Sequence, residues 1–545
     1  MQMDMKLYKV FTVALAGLAL IACSDIDTQL PESGTMLATQ VQETNLIAPS
    51  RAEASFSGMF SSIGQPRKMY NTPDDWQFLM INFCNDLEGA DALIADSGYN
   101  WFSVCGELSS RNANYRNPYI RYRAPYNMIA NVNTFILSYP EDVTDEKAIN
   151  MIAQVKALRA YSYMMLAPSY QFAYEYAADQ PCVPLVTESF PEDFTNNPRA
   201  TVREIYEQVI KDLDYAVEHL EGASRTSKAY IDGNVAHGLR ARAYLYMGEW
   251  QKALDDAKAA ASGYTPASIA DVSKPYFMSI DEPNWIWGYD LTDALTSVGG
   301  NSYYATTSSW LRSFSANGYA CACQVYTCIN KLLYDKIPAT DVRKGWWVDE
   351  NLESPNLAGL KWPGFDDVAN ADDGGDAKLP YLPYTNVKFG CYTVGTQTNE
   401  EDTPLMRVEE MILIQAECQA RLGQTSEAIN TLTNFVKTYR DPSYDVNGRG
   451  LSLMDEIWFQ RRVELWGEGF FVSDAKRLNK PTVRFHDDKG NIAPAFRFNL
   501  AADDPWLLLR FPQGEMNTNF GIVDNTGGHQ PKTDEGKELR DGVTD

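Results

Sequence analysis

Apolar residues recur every three or four positions through much of this chain, which is the spacing of one buried helix face. The clearest case is the segment 235–263, which predicts two short amphipathic helices separated by Gly248 and ended by Gly263. Glycine adopts the positive φ angle found beyond helix ends, and the short turn makes the two helices antiparallel. Residues 415–432 repeat this arrangement around Gly423. Neither helix of such a hairpin can bury its apolar stripe alone, so the pattern predicts neighbouring hairpins.

Further helices are predicted on both sides of these hairpins. Thr201 and Glu204 form the capping-box pattern that begins a helix. The apolar face of that helix is predicted from residues at alternating four- and three-residue steps: Val202, Tyr206, Val209, Leu213, Ala216 and Leu220. Helical patterns also cover residues 76–87, 122–137, 144–166 and 323–334, and three segments after residue 405. The chain is therefore predicted to be mainly α.

Residues 264–404 interrupt the helical pattern. Glycine, proline, aspartate and serine are frequent there, and short strands such as Trp285–Tyr289 are predicted. Tryptophan is concentrated in the same region, at positions 285, 287, 310, 346, 347 and 362. A long region without regular structure is usually functional or disordered, and its aromatic content argues against disorder.

The first residues have the form of an export signal. Lys6 and Lys9 precede an apolar run, Val10–Ala22, that is too short to span a bilayer. The run ends in Leu20-Ile21-Ala22-Cys23, which resembles a bacterial lipobox. That resemblance implies that residues 1–22 are a cleaved signal peptide and that Cys23 is acylated. Residues 23–50 are then the lipid anchor and tether. The alternative is an ordinary signal peptide with an incidental cysteine.

Charge and cysteine content narrow the possible functions further. The formal net charge of −25 argues against nucleic-acid phosphate as a ligand. Cys321, Cys323 and Cys328 lie close together, but no CxxC pair or histidine accompanies them, so no metal site is predicted. Some cysteine pairs are candidates for disulfides in an exported protein, although the sequence does not show which ones.

Taken in order, several segments resemble the SusD/RagB family of outer-membrane lipoproteins. Residues 126–133 resemble its Tyr-x-x-Ile-x-x-x-Asn helix, and residues 153–171 resemble its Ala-x-x-x-x-x-Arg-Ala helix. The match to the family's Arg-x-Thr-Val-x-Glu-x-Tyr pattern at residues 199–220 is close. Other similar segments are 183–188, 241–257, 407–432, 461–478 and 510–519. The chain departs from the family in having Asp-Gln-Pro-Cys at 179–182, where Tyr-Gly is usual.

This resemblance implies a fold and a function. The fold is tetratricopeptide-like helical hairpins packed with an irregular, loop-rich region containing short strands. Its parts would be a helical region at 51–263, a ligand-face region at 264–404 and a C-terminal helical region at 405–545. The implied function is non-catalytic binding of a glycan or similar nutrient at the cell surface. Delivery to a SusC-like TonB-dependent transporter would follow, with no cofactor and no bound metal.

Two loop regions carry the candidate ligand-binding residues, because the family tends to bind glycans with them. They are Asn100, Trp101 and Arg111 in the first loop, and Tyr303, Tyr304 and Trp310 in the second. Aromatic faces stack on sugars, while asparagine and arginine bind hydroxyl groups. The alternative is that each aromatic side chain fills the core under its loop. Trp346 and Trp347 are weaker ligand candidates.

Other residues are assigned structural roles. Trp285 and Trp287 are expected to be structural strand residues. Glu464, Glu468, Asp474 and Arg477 are predicted to form a buried polar network that braces the last helices.

Two alternative functions remain open. A surface glycoside hydrolase would need a carboxylate pair, for which Asp86, Glu88 and Asp91 are candidates near Trp101. The chain has no HExxH, GxSxG or phosphate-loop motif. A helical-repeat adaptor that binds only proteins is the other alternative.

Overall fold

The computed structural model describes residues 38–70, 72–94, 101–291, 310–312, 326–360, 382–392, 400–487 and 490–540. Cys23, Asn100, Tyr303 and Tyr304 therefore lie outside the described residues. So do Cys321 and Cys323.

The protein is mainly α-helical, as predicted. In the first half the helices are α1 (Ala38–Ile47), α2 (Ser50–Ser61), α3 (Gln77–Leu87), α4 (Ser103–Gly106), α5 (Arg116–Leu137), α6 (Glu146–Tyr170), α7 (Tyr174–Ala177), α8 (Val202–Leu220), α9 (Gly233–Met247) and α10 (Trp250–Ala261). In the second half they are α11 (Ile269–Val272), α12 (Lys331–Tyr334), α13 (Val408–Arg421), α14 (Thr425–Tyr439), α15 (Leu453–Glu464), α16 (Phe471–Arg477) and α17 (Gln513–Thr518). Within the described part of the chain, every helix is too short or too polar to form a transmembrane span.

The long helices form a continuous array. Each helix packs against the next one in the order α5, α6, α8, α9, α10, α13 and α14. Because α13 packs directly on α10, residues 264–404 are inserted in the chain between two adjacent helices of the array. We call these residues the insertion. The two predicted hairpins are confirmed, since Gly248 and Gly423 have φ angles of 78° and 75°.

The described residues contain three two-stranded antiparallel sheets, and two of them include strands of the insertion. The strands are β1 (Ala92–Ile94), β2 (Pro181–Pro184), β3 (Arg199–Thr201), β4 (Trp285–Tyr289), β5 (Thr327–Ile329) and β6 (Thr403–Arg407). They pair as β1 with β5, β2 with β3, and β4 with β6. The β4–β6 sheet holds the insertion at the start of α13, and the β1–β5 sheet holds it next to α3.

One helix prediction was wrong. The pattern at residues 323–334 suggested a single helix, but residues 327–329 form β5 and only Lys331–Tyr334 is helical. The register places Leu93 opposite Cys328. Pairing with a strand more than two hundred residues away overrides the local pattern.

The predicted capping box at Thr201 is present. The Thr201 hydroxyl accepts a hydrogen bond from the backbone N–H of Glu204 at 3.2 Å. The Glu204 carboxylate in turn accepts one from the backbone N–H of Thr201 at 2.7 Å. The two bonds satisfy backbone donors that a helix start otherwise leaves without partners.

Replacing Thr201 by alanine is expected to lower the free energy of unfolding by about 1 kcal/mol, because the cap is lost. Urea denaturation followed by circular dichroism measures this. The control is Thr438→Ala, which changes an exposed threonine inside α14. Equal losses of stability in the two variants would contradict a capping role.

Candidate functional site

Trp101 lies in the short segment before α4 with its side chain half-buried. The guanidinium of Arg116, the first residue of α5, lies over the indole ring at 4.9 Å from its centroid. Arg116 also forms an ion pair of 2.9 Å with the buried carboxylate of Asp74. The cation–π contact and the ion pair together fix Arg116, so the indole has a defined support.

Three tyrosines lie near Arg116, either in the chain or in the fold. Tyr115 directly precedes α5, and Tyr119 is on its first turn. The ring of Tyr70 packs edge-on against Tyr119, with 5.8 Å between the centroids and 81° between the planes. Tyr115 is 47% exposed. We call Tyr70, Trp101, Tyr115 and Tyr119, together with Arg116, the aromatic surface.

The loop that carries Tyr70 is held in place by Asp75. This buried carboxylate accepts hydrogen bonds from the backbone N–H groups of Met69 and Tyr70, at 2.5 and 2.6 Å. It also accepts one from the Gln77 side chain at 2.8 Å. Burial raises the pKa of Asp75 above its ordinary value, although these donors lower it. The Asp75 carboxylate therefore ties the backbone of Met69 and Tyr70 to the start of α3.

The aromatic surface also offers polar groups. The Arg116 side chain is 34% exposed, so some of its donors reach solvent. Burial raises the pKa of the Tyr70 phenol, which therefore stays protonated and able to donate at neutral pH. Aromatic faces beside a guanidinium and a phenol match the alternating apolar and hydroxyl faces of sugars.

Two of the predicted ligand residues are located in the core. Trp310 is 1% exposed, and its ring packs edge-on against Phe102 with 4.7 Å between the centroids. Phe102, the neighbour of Trp101 in the chain, is therefore in contact with Trp310. Arg111 is also buried and forms an ion pair of 2.6 Å with Glu88. It donates to the carbonyl of Leu507 as well, so it braces the C-terminal segment.

The other candidate tryptophans are also core residues. Trp346 and Trp347 are fully buried, and the indole N–H of Trp346 donates to the carbonyl of Val272 at 3.0 Å. Trp285 and Trp287 are fully buried on β4, which confirms their structural assignment. None of the four presents a face to a ligand in this structure.

The three acidic residues considered for hydrolysis are engaged in structural contacts. Asp86 accepts hydrogen bonds from the backbone N–H groups of Gly469 and Phe471, and burial raises its pKa to about 7. Glu88 is shared by Arg111 and Arg121. Asp91 forms an ion pair with Arg462. All three are buried, so they do not form a carboxylate pair that faces a cleft.

A cavity of about 1130 Å³ lies elsewhere, along residues 339–360 of the insertion. Its aromatic lining residues are Tyr334 and Trp347, both of which are buried. Large clefts are the usual place for small-molecule sites. The described residues that line it present no exposed aromatic face, however, so the aromatic surface is the better candidate for stacking on sugars.

Sequence reasoning identified Trp101 but missed the rest of this surface. The segment Tyr115–Tyr119 places two tyrosines four residues apart around Arg116, which is a signal the sequence does contain. The approach of Tyr70 and Asp74 from another loop has no local signal.

Comparison with known proteins identifies the family. A family model described as starch-binding and associating with the outer membrane matches residues 66–245. A second model, described as the SusD family, matches residues 369–528. The two matches together cover more than half of the chain, which belongs to the SusD family. No curated protein matches the sequence.

Several solved structures have the same fold. A SusD-like carbohydrate-binding protein from Bacteroides vulgatus is 23% identical, with a TM-score of 0.69 over 88% of this chain and 98% of that one. A SusD superfamily protein from Bacteroides thetaiotaomicron is 19% identical, with a TM-score of 0.66 over 88% and 99%. Surface glycan-binding protein A from the same organism, solved with laminarihexaose, is 16% identical, with a TM-score of 0.63 over 87% and 99%.

Proposed function

We propose that this protein is a cell-surface lipoprotein that binds a glycan on its aromatic surface without chemically changing it. The observation that carries this proposal is the half-buried indole of Trp101, supported by Arg116 and accompanied by three tyrosines. The family description, starch-binding, and the glycan complex of one structural neighbour support the same ligand class.

The proposal extends to location and partner. The lipobox at residues 20–23 would place a lipid on Cys23, and the family description refers to the outer membrane. A lipid-anchored protein that binds nutrients there needs a transporter to move them inward. We therefore propose a SusC-like TonB-dependent transporter as the partner that receives the glycan.

Trp101→Ala is the variant that tests the ligand site. Loss of the stacking face is expected to weaken glycan binding by about 1.5–3 kcal/mol, which is roughly tenfold or more in Kd. Calorimetry of the wild type against soluble glycans comes first. The panel begins with starch oligosaccharides and laminarihexaose, because a family description and a structural neighbour name them.

Tyr119→Ala serves as a second site variant and Tyr176→Ala as the matched control. Tyr176 is a tyrosine on α7 that is 55% exposed and outside the aromatic surface, so its removal should leave Kd unchanged. Unchanged affinity in both site variants would reject this surface as the binding site. Release of shorter sugars from any glycan of the panel would contradict a non-catalytic role.

A further inference from the structure

Cys84 and Cys105 lie side by side in the core below Trp101. Cys84 is on α3 and Cys105 is on α4, and both are fully buried. The side-chain amide of Asn117 reaches both sulfur atoms, with Nδ2 at 3.5 Å from Cys84 Sγ and 3.4 Å from Cys105 Sγ. A single nitrogen can contact both sulfurs only if these lie close to each other.

The packing around the two thiols fixes this arrangement. Helices α3 and α4 pack directly on each other, and the rings of Phe83 and Phe102 meet edge-on at 4.9 Å beside them. A hydrogen bond with Cys84, together with burial, raises the pKa of the Cys105 thiol well above its ordinary value. In the folded protein the Cys105 thiol is therefore protonated and slow to react.

Other cysteines have different surroundings. The Cys182 sulfur lies 4.0 Å from the carbonyl oxygen of Ala167, and the Cys328 sulfur lies 3.8 Å from that of Tyr326. In both cases a thiol packs against backbone, as is usual for a small buried side chain. These two contacts give no reason to expect a covalent bond.

We infer that Cys84 and Cys105 form a disulfide bond in the exported protein. The inference rests on the proposed export, because disulfides persist in oxidising compartments and not in the cytosol. It does not depend on glycan binding. The bond would close a loop of roughly 20 residues, which restricts the unfolded chain and thereby stabilises the folded one. Trp101 lies inside that loop, so both ends of the segment that carries it would be fixed.

The oxidant in this reaction is an external disulfide, either of a small molecule or of an oxidoreductase. The thiolate of one cysteine attacks it, forms a mixed disulfide and releases one thiolate. The thiolate of the second cysteine then attacks the protein sulfur and displaces the second external thiolate. The two protons of the protein thiols pass to the released thiolates. Because both cysteines are buried after folding, the exchange takes place before α4 has packed on α3.

Peptide mapping of the full chain tests the inference. The chain is produced with its own leader, and its thiols are blocked with iodoacetamide in denaturant at lysis. It is then digested with and without reductant. We expect a peptide joining residues 84 and 105 that is lighter than the two reduced peptides by the mass of two hydrogen atoms. Cys182 should be alkylated in denaturant without reductant and provides the internal control. A parallel sample is refolded with oxidised glutathione. If the bond is found only in that sample, export has failed and the pairing has not.

A stability measurement gives an independent readout. Reductant should lower the urea midpoint of the wild type and of Cys182→Ala, but not that of the Cys84→Ala, Cys105→Ala double variant. Alkylation of Cys84 and Cys105 without reductant in both samples would overturn the inference. A bond from either residue to a different cysteine would overturn it as well.

Discussion

Replacing Glu464 by glutamine is expected to lower the free energy of unfolding by about 3–5 kcal/mol, a loss typical of breaking a buried ion pair. The Glu464 carboxylate accepts two hydrogen bonds of 2.8 Å from Arg440 and one of 3.1 Å from Arg407. Arg343 donates a further one at 3.3 Å. All four side chains are fully buried, so water cannot replace the lost charge.

The cost is large because the surrounding charges are balanced. The buried cations of this network are Arg343, Lys388, Arg407 and Arg440, and its buried anions are Asp341, Glu409, Glu464 and Glu468. Removing one anion leaves an uncompensated positive charge in a region of low dielectric constant. Glutamine keeps the shape of the side chain, so the loss reports charge rather than packing.

Urea denaturation of the wild type and Glu464→Gln at neutral pH measures this effect. The control is Glu53→Gln, which removes one partner of an exposed pair with Lys147 and should change stability by less than about 1 kcal/mol. Although burial opposes ionisation, Arg440 and its neighbours hold the pKa of Glu464 well below its usual range. The stabilising contribution is therefore complete above the ordinary carboxyl pKa of 4.5 and is lost as the pH falls. The difference between wild type and variant should shrink in acid, and a difference independent of pH would contradict the assignment.

The predicted burial of four polar residues near the last helices was confirmed, but the prediction that they form one network was wrong. Glu464, Glu468, Asp474 and Arg477 are all buried and ion-paired, as expected. They belong to two clusters, because Asp474 and Arg477 pair with Arg461 and Glu417 instead. A helical pattern shows which side chains face inward. It contains no information about which distant arginine they will meet.

The fold and the site show the same difference between local features, which the sequence predicts, and long-range contacts, which it does not. Hairpins such as the one around Gly248 are local, so apolar spacing and a glycine predict them. The pairing of Leu93 with Cys328 is long-range, and a helix was wrongly predicted there. At the site, Trp101 was proposed from its loop, whereas the approach of Tyr70 to Tyr119 depends on tertiary packing. The burial of Trp310 is likewise a tertiary property.

A second large effect is expected where the chain turns from α15 into α16. Gly469 has a φ angle of +90°, a conformation that favours glycine. Its backbone N–H donates to the Asp86 carboxylate at 2.7 Å, which ties this turn to α3. An alanine Cβ here would lie 2.5 Å from the Asn82 Cβ and 2.7 Å from its Cα. The second contact is with backbone, so a side-chain rotation cannot relieve it.

Gly469→Ala is therefore expected to lower the free energy of unfolding by about 2–5 kcal/mol, from backbone strain plus overpacking. Gly423→Ala separates the two contributions. Gly423 has a similar φ angle of +75°, but no atom lies within 4 Å of its added Cβ. That control should lose only about 1–2 kcal/mol, the strain alone. Equal losses of unfolding free energy in urea denaturation would mean that α3 moves aside at no cost in free energy. That result would contradict a turn held tightly against Asn82 and Asp86.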